Sequence, residues 1–529
     1  MTGRKRWWEA GVVYQVYPRS FQDSDGDGVG DLRGILDRLD HIADLGVDAI
    51  WLSPIFPSPM VDFGYDVADY RDVDPIFGTL ADLDALIAAA HERGLKLLLD
   101  FVPNHSSDRH PWFIESRSSR ENLMRDWYIW RDPAPDGGPP NNWFSDFGGS
   151  AWEYDPATGQ YYYHAFLKQQ PDLNWRNPDV RRAMLDVMRF WLDRGVDGFR
   201  IDVLWHILKA PDFPDNPINP DYRPDMGEKF AVLQHHSTDQ PGVHEIVAEM
   251  RALADEYVGG DERVLIGEVC LPLPRMTAYY GERRDGIHLP FNFELVDSAW
   301  NARAIAGFID RYEAALPLGG WPNWVLGSHD APRVAGKLGE AQARVAAMLL
   351  LTLRGTPTLY QGDEIGIGRV DIPPNRLRDP RELREPGLRL GRDPARTPMA
   401  WDGSANGGFS PTEPWLPLHA DWPTRNVAAQ AADPASILNL HRGLLALRRA
   451  HPALATGDYA GVEAEGDLLA YRRIGRGEEW LALLNFGAEP QPVPTIAAGF
   501  APVLSTLPGD PPSTPTHLRP DEGLLLVRR

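Results

Sequence analysis

The chain has 529 residues, too many for one ordinary domain and suited to a barrel-sized unit with one or two smaller modules. Its hydrophobic and charged fractions, 43% and 24%, are ordinary for a globular protein. A formal net charge of −22 argues against nucleic acid or an anionic membrane as partner. The single cysteine, Cys270, rules out an intramolecular disulfide or a cysteine-rich metal site.

No apolar segment of signal-peptide form follows Arg4, Lys5 and Arg6. The most apolar internal stretch, 345–353, is too short to span a bilayer. A cytoplasmic location with no membrane partner is the expectation. In chain order, short apolar runs lie at 13–17, 49–53, 96–101, 198–203, 263–268, 288–293, 324–329 and 356–361. Segments of helical spacing, such as 80–93, 180–194 and 342–353, separate them. Strands alternating with helices indicate a parallel sheet. Eight of them predict an α/β fold, a (β/α)8 TIM barrel with its chemistry at the C-terminal strand ends. A doubly wound open sheet is the alternative, weakened by the lack of a Gly-rich phosphate loop after the first strand.

Two stretches interrupt the rhythm. Residues 104–174, rich in aromatics, Gly and Pro, are too long for a plain connection and predict a small inserted domain after strand 3. Residues 209–244 form a second long, Pro- and Asp-rich loop after strand 4. Beyond a helix near 437–449, short strands at 468–472 and 480–486 suggest a C-terminal β-sandwich. The expected division is a barrel from 1–103 and 175–455, the insert at 104–174, and the sandwich at 456–529.

Chemistry enters at 197–203, Asp-Gly-Phe-Arg-Ile-Asp-Val. Side chains alternate along a strand, so Arg200 and Asp202 share a side. The guanidinium would keep the carboxylate ionised and oriented, as a nucleophile at an anomeric carbon requires. An Arg–Asp pair that merely fills the barrel is the competing reading. Glu268 and Asp330 each follow an apolar run in the same manner. Three carboxylates at strand ends are costly unless they face one solvated site.

These residues resemble glycoside hydrolase family 13, the α-amylase family, and within it the α-glucosidase and oligo-1,6-glucosidase branch. The resemblance rests on DFVPNH at 100–105, GFRID at 198–202, Gly-Glu-Val at 267–269, Ser-His-Asp at 328–330 and QPDLN at 170–174. It runs from about Trp8 to Arg449. It implies Asp202 as nucleophile, Glu268 as general acid/base and Asp330 as the third, transition-state-stabilising carboxylate. It further implies His105 and His329 as donors to sugar hydroxyls, Asp62 and Tyr65 (in DFGYD, 62–66) as a clamp on the terminal glucose, and Arg396 as the clamp's partner. Phe147 and Phe166 match aromatics flanking the cleavage site; as core residues of the insert they have a competing reading. The implied enzyme is a retaining exo-α-glucosidase acting on short α-glucosides, with sugar or alcohol acceptors in transfer and no organic cofactor.

The segment 23–31, Asp-Ser-Asp-Gly-Asp-Gly-Val-Gly-Asp, places oxygen ligands at alternate positions. An EF-hand would have a glutamate where Gly34 stands. The loop instead resembles the branch's structural Ca2+ or Mg2+ site, with Asp23, Asp25, Asp27, the Val29 carbonyl and Asp31 as ligands; an acidic turn without metal is the alternative. Ser328 departs from the branch's usual asparagine. Val203 resembles α-1,6-preferring members, whereas the 209–244 loop resembles enzymes restricted to short substrates, so the linkage stays open. A sucrose isomerase or trehalose synthase using the same chemistry is the enzyme rival, and an inactive scaffold homologue the non-enzyme one.

Overall fold

A computed structural model describes residues 6–257, 262–291 and 293–528. Asn292 in the run expected at 288–293, and residues 1–5 and 529 at the ends of the expected division, lie outside them. Eight parallel strands form the barrel: β1 (Val13–Val16), β2 (Ala49–Leu52), β3 (Lys96–Phe101), β7 (Gly198–Ile201), β8 (Val264–Glu268), β9 (Leu289–Phe291), β10 (Asn323–Val325) and β11 (Thr356–Tyr360). Their order is β10-β11-β1-β2-β3-β7-β8-β9, and β9 lies beside β10 to bring the sheet nearly to closure. The open doubly wound alternative is thereby set aside.

Period-two alternation assigns each strand residue to one of two layers. Val13, Ala49, Leu98, Val264 and Leu289 pack together within one cluster. Their neighbours Tyr14, Ile50, Leu97, Leu99, Phe199 and Leu265 join the larger cluster shared with the surrounding helices. The helix Pro178–Asp193 buries Val180, Met184, Val187, Met188 and Trp191 at three- and four-residue spacing; Asn177 caps it and Pro178 opens it. Among the described residues no helix is long and apolar enough to cross a membrane.

Between β3 and β7 the chain forms a helix, Pro111–Ser118, and a three-stranded antiparallel sheet of β4 (Trp130–Arg131), β5 (Trp152–Asp155) and β6 (Gln160–Tyr163), ordered β4-β6-β5. Ile129, Trp143, Trp152 and Tyr163 make its own small core. The C-terminal region is antiparallel: β12 (Asp458–Glu465), β13 (Leu468–Gly475), β14 (Glu478–Asn485), β16 (Phe500–Ser505) and β18 (Gly523–Arg528), ordered β12-β13-β14-β18-β16. A ribbon of β15 (Gln491–Pro492) and β17 (His517–Leu518) accompanies it. Leu469, Tyr471, Ala482 and Leu525 join the barrel's cluster, while Leu468, Ala470, Leu481 and Leu524 pack with Leu518 on the opposite face. One sheet therefore serves two interfaces, as alternation permits.

Two expected strand ends are corrected. β7 stops at Ile201, and β10 stops at Val325 rather than 329. His329 and Asp330 thus stand on the loop after β10. Gly327 lies in that loop, where a Cβ would lie 2.4 Å from the carboxylate tip of Asp363, which would have to turn away.

Gly198 begins β7 with φ +149°, and a Cβ on it would lie 2.0 Å from the Val264 carbonyl of β8. Gly198→Ala is expected to destabilise the protein by about 3 kcal/mol or more through forced backbone separation, read as a lowered urea midpoint.

Candidate active site

Parallel register places Asp100 of β3 directly beside Arg200 of β7. The side chains meet: Arg200 Nη1 donates to Asp100 Oδ1 (2.9 Å) and to Asp202 Oδ1 (2.7 Å), and Nη2 donates to Glu268 Oε2 (2.5 Å). The guanidinium is fully buried, flanked by the rings of Trp51 and Phe291 at 5.0 and 6.0 Å. Asp202 and Glu268 open onto a cleft of about 770 Å³ at the C-terminal end of the barrel. The pairing of Arg200 with Asp202 expected from alternation is present, but the arginine is shared. One cation serves three carboxylates, so the cluster favours retaining a proton. Burial pushes the Asp202 carboxyl well up against the pull of Arg200, with Glu268 and Asp100 adding repulsion. Burial likewise raises Asp100, to about 6.

A hydrogen-bonded chain continues sideways. Tyr65 Oη donates to Asp100 Oδ2 (3.0 Å) and lies 2.6 Å from His329 Nε2. Gln15 Nε2 donates to His329 Nδ1 (2.7 Å), so the hydrogen of the neutral imidazole sits on Nε2. Burial holds that imidazole neutral, well below its usual pKa. Tyr65 stacks on His329, 5.4 Å between centroids and 5° from parallel. That face of the ring is covered by His329, while Tyr65 also lines the cleft. Asp330 Oδ2 lies 3.2 Å from His329 Nε2. Although burial opposes ionisation, the adjoining His329 ring N–H and the Arg392 and Arg396 cations hold the Asp330 carboxyl far below the usual range.

The expected clamp is corrected at one residue. The guanidinium that meets Asp62 is Arg392, whose Nη2 donates to Asp62 Oδ1 (2.9 Å). Arg396, fully buried, instead donates to Asp330 Oδ1 (2.9 Å) and the His329 carbonyl (3.0 Å). Both arginines stand in the segment GRDPARTPM, 391–399, and the 3-10 turn Asp393–Ala395 between them points them differently. Arg392 is anchored by Asp379, 2.9 Å from Nε and 2.8 Å from Nη2. Neither Arg392 nor Asp379 carries a sequence signal beyond that motif. Gln170 of the QPDLN segment also reaches the site, donating to Asp62 Oδ2 (3.2 Å) beside His105 Nε2 (3.2 Å). Lys209 buries its ammonium against Asp172 and Asn104 (2.7 Å to the latter), tying the insert to the barrel.

His105, Phe147 and Phe166 all line the cleft. Burial lowers the His105 pKa to about 3, leaving it neutral. Phe166 also packs against the insert's small core, so its two readings coexist. Arg392 lies over the Phe147 ring at 5.1 Å.

Carboxylate oxygens of Asp23, Asp25 and Asp27 converge within 4.8 Å of one another. Burial and mutual repulsion raise Asp27. Asp31 stands apart from that group: its oxygens accept from Ser24 (2.7 and 2.8 Å) and cap the helix Leu32–Asp37 through Gly34 N–H (2.7 Å). Gly26 and Gly28, at φ +87° and +92°, let the loop curl around the three aspartates. Hard oxygen donors so gathered fit a Ca2+ or Mg2+ ion. The Val29 amide donates to Asp27 Oδ1 (2.7 Å), which holds the turn.

The description "Alpha amylase, catalytic domain" matches residues 15–457, and a domain of unknown function matches 455–525. The chain belongs to the α-amylase family. Within this glycoside hydrolase family it falls in the α-glucosidase and oligo-1,6-glucosidase branch. It is 45% identical to a probable alpha-glucosidase of Rhizobium meliloti over 91% of this chain and 90% of that one. It is 40% identical to an oligo-1,6-glucosidase of Parageobacillus thermoglucosidasius, covering 92% and 91%. Among solved structures, the alpha-glucosyl transfer enzyme XgtA superposes with a TM-score of 0.93 at 39% identity, covering 99% and 100%. A mutant of the trehalulose synthase MutB of Pseudomonas mesoacidophila, in complex with the substrate sucrose, superposes with a TM-score of 0.89 at 36% identity, covering the same shares. In this α-amylase-family chain the carboxylates that the motifs select thus converge on one cleft.

Because Arg392 retains Asp379 and Asp330 when Asp62 is lost, Asp62→Ala is expected to leave the fold intact while lowering kcat/KM for maltose by about 10²-fold. Steady-state kinetics with circular dichroism as the folding check tests this; near-normal turnover counts against the clamp.

Proposed function

We propose that the protein is a retaining, exo-acting α-glucosidase that removes terminal glucose from disaccharides and transfers part of it to sugar or alcohol acceptors. The observation that carries this reading is that Asp202 and Glu268 bind neighbouring nitrogens of one guanidinium. That shared anchor favours the close carboxylate spacing of retaining enzymes, about 5–5.5 Å, over the wider inverting arrangement. Asp202 attacks the anomeric carbon while Glu268 protonates the leaving oxygen, and Glu268 then deprotonates the incoming water or acceptor. Asp330, ionised beside two arginines, supports the positive charge that develops on the sugar. Asp62, Arg392 and His105, which line the cleft, offer hydrogen bonds to the hydroxyls of the terminal glucose, whereas His329, expected as a donor, is buried beneath them with both ring nitrogens engaged by Gln15, Tyr65 and Asp330.

Restriction to short substrates is supported by the loops. Lys229 Nζ and Gln234 Nε2 of the 209–244 loop donate to Asp146 of the insert (2.8 and 2.9 Å). Glu228 accepts from Gly149 N–H (2.6 Å), and its own N–H donates to Glu385 (2.8 Å). Arg384 donates to the carbonyls of Phe147 and Gly148 (3.0 and 2.8 Å). Three segments far apart in sequence therefore form a collar around the outer cleft. Phe230, Leu233, Leu271 and Pro272 line its outer part, an apolar surface for an acceptor or leaving group. The isomerase reading is favoured by the likeness to MutB and rests on the same chemistry. It differs in whether the released sugar is recaptured before water arrives.

One experiment separates these outcomes: NMR of nascent products across maltose, isomaltose, sucrose, kojibiose, nigerose and trehalose. The expected result is α-glucose as the first anomer, with free glucose from the preferred disaccharide and transfer products at high concentration. An initial β anomer overturns retention, and rearranged disaccharide with little free glucose favours the isomerase.

A structural Ca2+ or Mg2+ ion held by Asp23, Asp25, Asp27 and the Val29 carbonyl, with Asp31 nearby, is part of the proposal. It would neutralise the crowded aspartates and take no part in the reaction. Chelation is expected to lower the melting temperature by several degrees and calorimetry to detect rebinding; no change in either removes the metal.

A further inference from the structure

The two oxygens of Glu268 have different surroundings. Oε2 accepts from Arg200 Nη2 (2.5 Å) and from the main-chain N–H of Val203 (3.1 Å). Among the described residues, Oε1 meets only the Cys270 thiol, at 3.8 Å. The Val203 amide reaches Glu268 through an unusual backbone. Val203 has φ 35° and ψ 45°, in the left-handed region that β-branched residues rarely enter. The residue before it is still in strand register, since Asp202 N–H donates to the Phe101 carbonyl (2.8 Å). The residues after it form the 3-10 turn Leu204–His206, closed by His206 N–H donating to the Val203 carbonyl (2.8 Å). The kink at Val203 thus turns its peptide out of the β7 ladder and onto Glu268. Strain of this kind persists where surrounding contacts over-determine it, and it concentrates at functional sites.

An oxygen that already accepts two N–H bonds is a poor place for an acidic proton, because an O–H there would face a donor. We propose that Glu268 exchanges its proton through Oε1, and that the left-handed Val203 peptide is the positioning group which, with Arg200, enforces that choice. This rests on the reading of Glu268 as the acid/base. In the first step the Oε1 proton moves to the glycosidic oxygen as its bond to the anomeric carbon breaks and the Asp202 ester forms. In the second, water gives a proton to Oε1 as its oxygen displaces Asp202, restoring the starting state.

The test removes the N–H and keeps the side chain, by an amide-to-ester exchange at Val203 using the α-hydroxy analogue of valine. Two substrates are compared: maltose, and 2,4-dinitrophenyl α-glucoside, whose leaving group departs without a proton. For maltose, kcat/KM is expected to fall about tenfold or more, while the aryl glucoside changes by less than about threefold. Equal losses on both substrates, or no loss on maltose, overturn the assignment. Neutron diffraction of the unmodified protein below the acid's pKa provides a second measurement, with deuterium expected on Oε1; deuterium on Oε2 refutes the proposal directly. Glu268→Gln serves as the control on the underlying reading. If that variant loses both substrates equally, Glu268 is not the acid, whatever Val203 does.

Discussion

Everything at this site hangs on one buried guanidinium. Arg200 has no solvent to stabilise its charge, and it touches Asp100, Asp202 and Glu268 at once. Removing a charge from water is expensive, and the cost is offset only if partners surround it in good geometry. Here the partners outnumber the cation, so the excess negative charge is relieved by a proton or by positive charge that develops on a substrate. On the proposed reading such a site suits an oxocarbenium-like transition state, because positive charge developing on the sugar completes the neutralisation. The same constraint accounts for the register of β3 and β7, since Asp100 and Arg200 must stand side by side for the network to exist.

Around that centre, rigidity and selectivity come from different parts of the chain. Gln15, Trp51, Asp100 and Arg200 project from barrel strands whose backbones are locked by parallel ladders, and Glu268 ends β8 in the same sheet. His329, Tyr65 and Asp330 extend the polar network on loops, but each is tied back to a strand residue or a buried arginine. The outer cleft is different. There the insert, the 209–244 loop and the segment near Arg384 and Glu385 meet through side-chain contacts. Changes in those loops can alter the space in the outer cleft without disturbing the strand-borne carboxylates, as expected for a barrel enzyme.

Much of this is legible in the sequence. Alternation alone puts Arg200 and Asp202 on one side, and the carboxylates Glu268 and Asp330, each after an apolar run, identify the rim. The first reading succeeds because strand periodicity is a local property; Glu268 ends β8, while Asp330 reaches the rim on the loop after β10. The motif points to Arg396 rather than Arg392 as the partner of Asp62 because both lie in one nine-residue segment, and which of them faces Asp62 depends on a single 3-10 turn. The end of β10 is overestimated for a similar reason. Residues 324–329 read as one continuous run, while the close approach of Asp363 to Gly327 is a tertiary matter.

Local pattern is enough for the eight alternating strands, for the family to which the chain belongs and for the three carboxylates that meet at the cleft. Each of these is written in periodicity or in motifs a few residues long. The sharing of charge among those groups belongs to the folded barrel alone: one arginine beneath three carboxylates, Arg392 rather than Arg396 on Asp62, and a strained Val203 peptide turned onto Glu268. Most of these contacts join residues tens to hundreds of positions apart, at distances set by the packing of the whole barrel. No local pattern encodes them.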